Sequence, residues 1–165
     1  MGAAPLTGPI PGETLIQRWE SCRLVAYDDN GNAAGGVWTI GWGTTKYPDG
    51  RRVQPGDTCT QAQADEWFRL DLLSHAQAMD ALTTDAITIQ QAGALNSFVY
   101  NCGVAGYRGS TLRRRVNANP NDPSIREAFM RWHFDNGKPV LGLWRRRHSE
   151  ADHYFNVTTP TPAMP

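Results

Sequence analysis

The chain has 165 residues, the size of one domain with room for a real core. A composition that is 40% hydrophobic and 19% charged excludes an intrinsically disordered chain, and no run approaches the roughly 20 apolar residues of a membrane span. The formal net charge of zero hides a gradient: residues 1–100 carry six basic and eleven acidic side chains, residues 101–165 ten basic and five acidic.

Residues 1–12 hold three prolines and three glycines and read as a flexible arm. From Thr14, the residues Leu15, Ile16, Trp19 and Cys22 fall at helical spacing, which predicts a short helix ending near Arg23 with Glu20 in its last turn. The following stretch predicts strands at Leu24–Tyr27 and Val37–Trp42, separated by Asn30-Gly31 and Gly35-Gly36, with a third short strand or turn around Tyr47–Val53. Thr60 and Gln63 form a capping box that opens a long helix over about 61–82, with Trp67, Leu70, Leu73 and Leu82 as its apolar residues. Thr88 and Gln91 form a second capping box, and Asp122-Pro123 a third helix start. Two further helical stretches, split by Asn136-Gly137, lead to a tail, 157–165, that reads as disordered. The expectation is an α+β fold: a small lobe with a three-stranded sheet (about 13–59), a connecting helix, and a larger all-helical lobe (about 86–156), with a cleft between the lobes as the place for a ligand.

Arg113–Arg115 and Arg145–Arg147 dominate the positive end. Read plainly, they are solvated helical faces; read functionally, they attract an acidic polymer or an anionic membrane face. Three cysteines, Cys22, Cys59 and Cys102, with no C-x-x-C spacing, argue against a disulfide framework or a zinc knuckle and leave at least one free thiol. His148, Asp152 and His153 share a helix face, but without a third histidine or an H-E-x-x-H motif no metal site is assigned. Neither a metal nor a cofactor is expected. Trp19, Trp38, Trp67, Trp132 and Trp144, together with Phe98 and Tyr107, read as core, whereas Trp42 stands at an edge. The first residues lack the charged start and apolar stretch of a signal peptide, so synthesis in the cytosol is expected.

The acids near the N-terminus carry the chemistry. Cleaving a glycosidic bond takes a proton donor for the leaving oxygen and a second carboxylate as base, nucleophile or stabiliser. Glu20 beside Trp19, and Asp29 after the first strand, are candidates for that pair, with the Thr39 hydroxyl on the next strand directed at the same space. Spacing alone is weak, since acids make up about a tenth of the chain.

The surrounding residues are more specific. "WESCRLVAYDD…GGVWTIGWGTT" closely resembles the catalytic segment of the phage-type lysozymes, endolysins of glycoside hydrolase family 24: a Glu, eight residues, an Asp or Cys, a turn, then Thr in a T-I-G-x-G run. "SFVYNCGVAGYRGSTLRRRVN" and "RWHFDNGKPVLGLWRRRHSEADHYF" resemble later segments of the same family, so the likeness covers roughly residues 13–156. Two departures stand out. The nine-residue turn between Asp29 and Thr39 is longer than usual, which leaves Asp28 as an alternative to Asp29, and Thr44 stands where some members have His.

The resemblance implies hydrolysis of the β-1,4 bond between N-acetylmuramic acid and N-acetylglucosamine in peptidoglycan by an endolysin. Glu20 would be general acid, Asp29 would orient or activate water, and Thr39 would hold it. Inversion would put the carboxyl groups about 6.5–9.5 Å apart. Gly41, Trp42 and Gly43 would approach the glycan, and Tyr100, Asn101, Ser110 and Thr111 would form the opposite wall. A lytic transglycosylase and a non-catalytic peptidoglycan-binding module are the rival readings. The enzyme would be a monomer without nucleic-acid partners. It would wait in the host cytoplasm until a holin-type pore released it to the periplasm.

Overall fold

The computed structural model describes residues 8–28 and 36–164. Its elements run α1 (Glu13–Gln17), β1 (Arg23–Asp28), β2 (Trp38–Gly41), α2 (Gln61–Asp80), α3 (Ile89–Gly109), α4 (Thr111–Ala118), α5 (Ile125–Met130), β3 (Phe134–Asp135), β4 (Lys138–Pro139) and α6 (Leu141–Phe155). The α+β class and the predominance of helix agree with expectation. The chain divides into two compact units, residues 16–74 and residues 1–15 with 75–165.

In the unit of residues 16–74, β1 and β2 pair antiparallel, with Tyr27 opposite Thr39 and Asp28 opposite Trp38. Among the described residues the expected third strand is absent, and the sheet has two. Residues 46–52 contribute a single bridge, Lys46 to Arg52, around a turn at Asp49-Gly50 where Gly50 takes φ 90°. One more bridge joins Val25 to Thr58. The reason is local: 47–53 carries a proline, a glycine and two arginines, too polar and too tightly turned to extend a ladder. The helix α1 is also shorter than expected, and Cys22 and Arg23 lie outside it.

The capping box at Thr60 forms as read, with Thr60 N–H donating to Gln63 Oε1 at 2.9 Å and Gln63 N–H to Thr60 Oγ1 at 3.2 Å. The buried stripe of α2 within this unit is Ala64, Phe68 and Leu72, each within 1% of complete burial, and Leu70 is exposed. The i, i+4, i+8 rule governs the stripe, and the expected series through Trp67, Leu70 and Leu73 missed it because its spacing of three drifts around the helix.

In the other unit the core gathers Leu95, Phe98, Val99, Tyr107, Leu112, Val116, Ile125, Phe129 and Tyr154. Phe98 meets Phe129 and Trp132 edge-on at 5.8 and 5.2 Å between ring centroids. Such pairs add about 0.5–1.5 kcal/mol each beyond area burial. The Thr88–Gln91 capping box starts α3, which breaks at Gly103, where φ is 79°. Asp122 caps the approach to α5 rather than the helix itself: its Oδ1 accepts from Ser124 N–H at 2.8 Å, and the helix begins at Ile125. Asn136 and Gly137, with φ 47° and 75°, close a small β3–β4 hairpin where only a break between helices was expected.

Residues 10–12 and 159–162 pack against the helices of this unit. Ile10 is buried and Pro11 O accepts from Asn96 Nδ2 at 2.9 Å. Gly12 crosses α3 so closely that a Cβ on it would stand 2.3 Å from Gly93 O, and a Cβ on Gly93 would stand 2.9 Å from Gly12 N. At the other end, Asp152 anchors the tail. Thr159 N–H and hydroxyl donate to its two carboxylate oxygens at 2.8 Å each, Arg126 pairs with it at 2.7 Å, and Trp144 Nε1 donates to Pro162 O at 2.9 Å. Because the Thr159 hydroxyl hydrogen goes to Asp152, the 3.1 Å contact from His148 makes Nε2 the donating nitrogen.

Burial pushes the Asp152 carboxyl up, but the Thr159 bonds, Arg126 and His148 outweigh it and hold it below the usual carboxylate range. A depressed carboxylate stabilises the docked tail above the ordinary Asp value of about 3.9 and loses that contribution as pH falls through the lowered value. Hydrogen-exchange protection of the Thr159 amide is therefore expected at pH 7, to fade below about pH 4, and to be lost at pH 7 in Asp152→Ala. Protection that ignores both changes would show that Asp152 does not hold the tail.

Candidate active site

In the unit of residues 16–74, Glu20 follows α1 on one further turn, its N–H donating to Ile16 O at 3.2 Å, and its side chain is half-buried. It enters β1 three residues later, at Arg23, which pairs with Gly41. Thr39 lies in the middle of β2, only 3% exposed, and its hydroxyl has no hydrogen-bond partner among the described residues. A buried hydroxyl left unpaired costs about 1–3 kcal/mol, so its retention calls for a use. Cross-strand pairing puts Thr39 on the face of Tyr27, and Asp28 on the other face with Trp38. The Asp28 carboxylate stands over Gly36, where a Cβ would lie 2.3 Å from its Oδ1. Asp29 lies outside the described residues.

The T-I-G-W-G run closes into a tight loop. Ile40 and Thr44 exchange backbone hydrogen bonds at 2.9 Å each, and Gly41 and Gly43 take φ 63° and 117°. Gly41 is buried against Ala64 of α2, so turn geometry and close packing require the glycine there; Gly43 is exposed. Trp42 is half-buried, its ring 5.7 Å from that of Phe68 and its Nε1 donating to Asp65 Oδ1 at 2.7 Å.

In the other unit, Tyr100 and Asn101 sit on α3 just before the break at Gly103. Tyr100 is half-buried with its ring 5.4 Å from that of His75. Asn101 is exposed, and Arg147 Nη2 donates to its Oδ1 at 2.8 Å. Ser110 departs from expectation. It is buried as the N-cap of α4, accepting from Arg113 N–H at 3.0 Å and donating to Tyr107 O at 2.7 Å, so its hydroxyl is committed to the fold. Thr111 accepts from Arg114 Nη2 at 2.8 Å.

Two features escaped the sequence. Asp65 bonds Trp42 across 23 positions with no local signal. The Arg145–Arg147 run is not a surface patch: Arg145 is exposed, but Arg146 and Arg147 are 5% and 0% exposed and converge on Glu150, itself fully buried. Arg147 Nε lies 2.9 Å from Glu150 Oε2, Arg146 Nε 3.3 Å from Oε1, and Ser97 Oγ donates to Oε1 at 2.7 Å. The i, i+4 and i, i+3 spacing was the available signal.

Residues 17–150 match the phage lysozyme family. The chain belongs to that family. It is accordingly a glycoside hydrolase of the lysozyme class. The endolysin of Salmonella phage P22 is 34% identical over 140 residues, 85% of this chain and 92% of that one. Among solved structures, the endolysin from Escherichia coli O157:H7 phage FAHEc1 superposes with a TM-score of 0.79 at 31% identity, covering 95% of this chain and 98% of that one. The muramidase domain of SpmX from Asticaccaulis excentricus gives 0.72 at 30% identity, covering 90% and 95%. The family match spans Glu20, Asp29 and Thr39 alike. At Thr44, where some family members have His, this phage lysozyme uses the backbone to close the loop. His148 and Asp152 are engaged with the tail through Thr159. Among the described residues no helix is long and apolar enough to cross a membrane.

Proposed function

We propose that this lysozyme is an endolysin that hydrolyses the β-1,4 bond between N-acetylmuramic acid and N-acetylglucosamine, with Glu20 as general acid, Asp29 as second carboxylate and Thr39 as the hydroxyl that holds water. The observation that carries the assignment is the Thr39 hydroxyl, buried and without a hydrogen-bond partner among the described residues, on the strand paired with β1. Asp28 occupies the opposite strand face, over Gly36, which favours Asp29 as its rival for the second carboxylate.

Glu20 delivers its proton to the glycosidic oxygen as the bond to C1 breaks. Positive charge builds on the sugar ring, where Asp29 stabilises it. Water held by Thr39 gives a proton to Asp29 and adds its oxygen to C1, and solvent exchange then restores both carboxyl groups. Within the unit of residues 16–74, Trp42 contacts the glycan. The endolysin acts as a monomer on peptidoglycan, reaching it from the host cytoplasm through a holin-type pore.

Mass spectrometry of purified peptidoglycan after digestion tests the reaction type. Muropeptides with reducing ends, one water heavier than anhydro products, are expected. Anhydro products would make the enzyme a transglycosylase, and an absence of fragments would reduce the chain to a binding module.

A further inference from the structure

Asp65 takes no part in the chemistry above. It is half-buried on the first turns of α2, and its Oδ1 accepts two hydrogen bonds, from Trp42 Nε1 and from Gln61 Nε2, both at 2.7 Å. Bonds of that length to a carboxylate are charge-assisted and about twice as strong as neutral ones. Gln61 in turn meets Cys22 Sγ, 3.6 Å from its Nε2 and 3.8 Å from its Oε1, and Cys22 stands two residues beyond Glu20. One carboxylate on α2 therefore ties the loop that carries Trp42 to the segment that carries Glu20.

The loop itself has little freedom, being closed by the Ile40–Thr44 bonds. The indole rests near Phe68 and remains half exposed. A flat ring with its edge clamped and part of its surface open loses little further freedom when an apolar sugar face stacks on it, which is how preorganisation adds affinity. We infer that Asp65 is a positioning residue that holds Trp42 as the platform for one sugar ring of the glycan strand. The inference rests on the muramidase reading above and assigns Asp65 to affinity, apart from the bond-breaking step.

Steady-state kinetics on a soluble N-acetylglucosamine–N-acetylmuramic acid oligosaccharide, with melting curves alongside, test it. Asp65→Ala is expected to raise KM about five- to tenfold, the size of one lost hydrogen bond, with kcat within about twofold. Asp65→Asn retains an accepting oxygen and should recover most of the affinity without disturbing the fold. Trp42→Phe lacks the N–H, so adding Asp65→Ala to it should change KM by less than about twofold. Equal effects on both backgrounds would overturn the inference, as would a loss confined to kcat or one that follows melting temperature across the variants. A well-folded wild type that cuts no glycan would instead bring down the muramidase reading, and this inference with it.

Discussion

Glu20→Gln is expected to lower kcat about 10³-fold, within the 10²–10⁴ range of a lost general acid, while the melting temperature stays within a few degrees. Gln keeps the shape and the hydrogen-bonding reach of the half-buried side chain but has no proton to give to the leaving oxygen. Thr39→Val makes the complementary point. It replaces a buried hydroxyl that has no partner among the described residues with a methyl group of similar volume, so it should leave stability equal or higher while reducing turnover. A residue kept for packing alone would show no such opposition. The same assay on Asp28→Asn and Asp29→Asn decides the second carboxylate, with Asp29→Asn expected to be the damaging one. Glu20→Gln retaining more than about a tenth of wild-type turnover would remove it from the acid role.

The largest effect on stability is expected at Glu150→Ala. Burial pushes the Glu150 carboxyl up, against the downward pull of Arg147, Arg146 and the Ser97 hydroxyl. Truncation leaves two guanidiniums in the core with no carboxylate. Arg147 would retain Asn101, Cys102 and the Phe98 ring, 5.1 Å away, none of which carries the compensating charge. Breaking a buried pair from one side costs about 3–5 kcal/mol. At roughly 2–4 °C per kcal/mol for a chain of this size, the midpoint should fall by about 6–20 °C. Arg145→Ala, on the exposed side chain of the same run, should change stability by less than about 0.5 kcal/mol. Calorimetry on the two variants separates them, and a Glu150→Ala midpoint within about 2 °C of wild type would show that the cluster is not what holds α6 to α3. It follows that a triple Arg145/Arg146/Arg147→Ala variant reports on folding before it reports on any attraction to an anionic membrane.

What the sequence revealed and what it concealed divide along the range of the interactions. Both glutamine capping boxes were visible because the partners stand three residues apart. The family was legible through a motif in residues 19–45 dense enough to resemble it, and Phe98 and Tyr107 through plain apolarity. The missing third strand was a matter of degree, since residues 46–52 close on themselves through one bridge and Thr58 meets β1 through another, and no short window distinguishes such bridges from a ladder. Ser110 was expected as a sugar ligand, because the sequence does not show the contacts with Tyr107 and Arg113 that engage its hydroxyl as a cap. Asp65 was invisible because its bond to Trp42 depends on where α2 lies against the loop of residues 40–44. The buried arginines misled for a different reason: charge counting assumes solvent, and here burial of Glu150 supplied the counter-charge instead.

The crossing of Gly12 over Gly93 leaves a trace in the way such a sequence can evolve. Each backbone fills the volume that the other's side chain would need, and His153 Nε2 stands 3.1 Å from the place a Cβ on Gly93 would take. Neither site can accept even alanine first and wait for its partner to adjust, because no smaller residue exists for the partner to become. A lineage can leave the Gly–Gly state only by moving the arm off the helix, which would also release the buried Ile10 and the bond from Asn96 to Pro11. Two unremarkable glycines, 81 positions apart in the chain, thus share one fate under mutation.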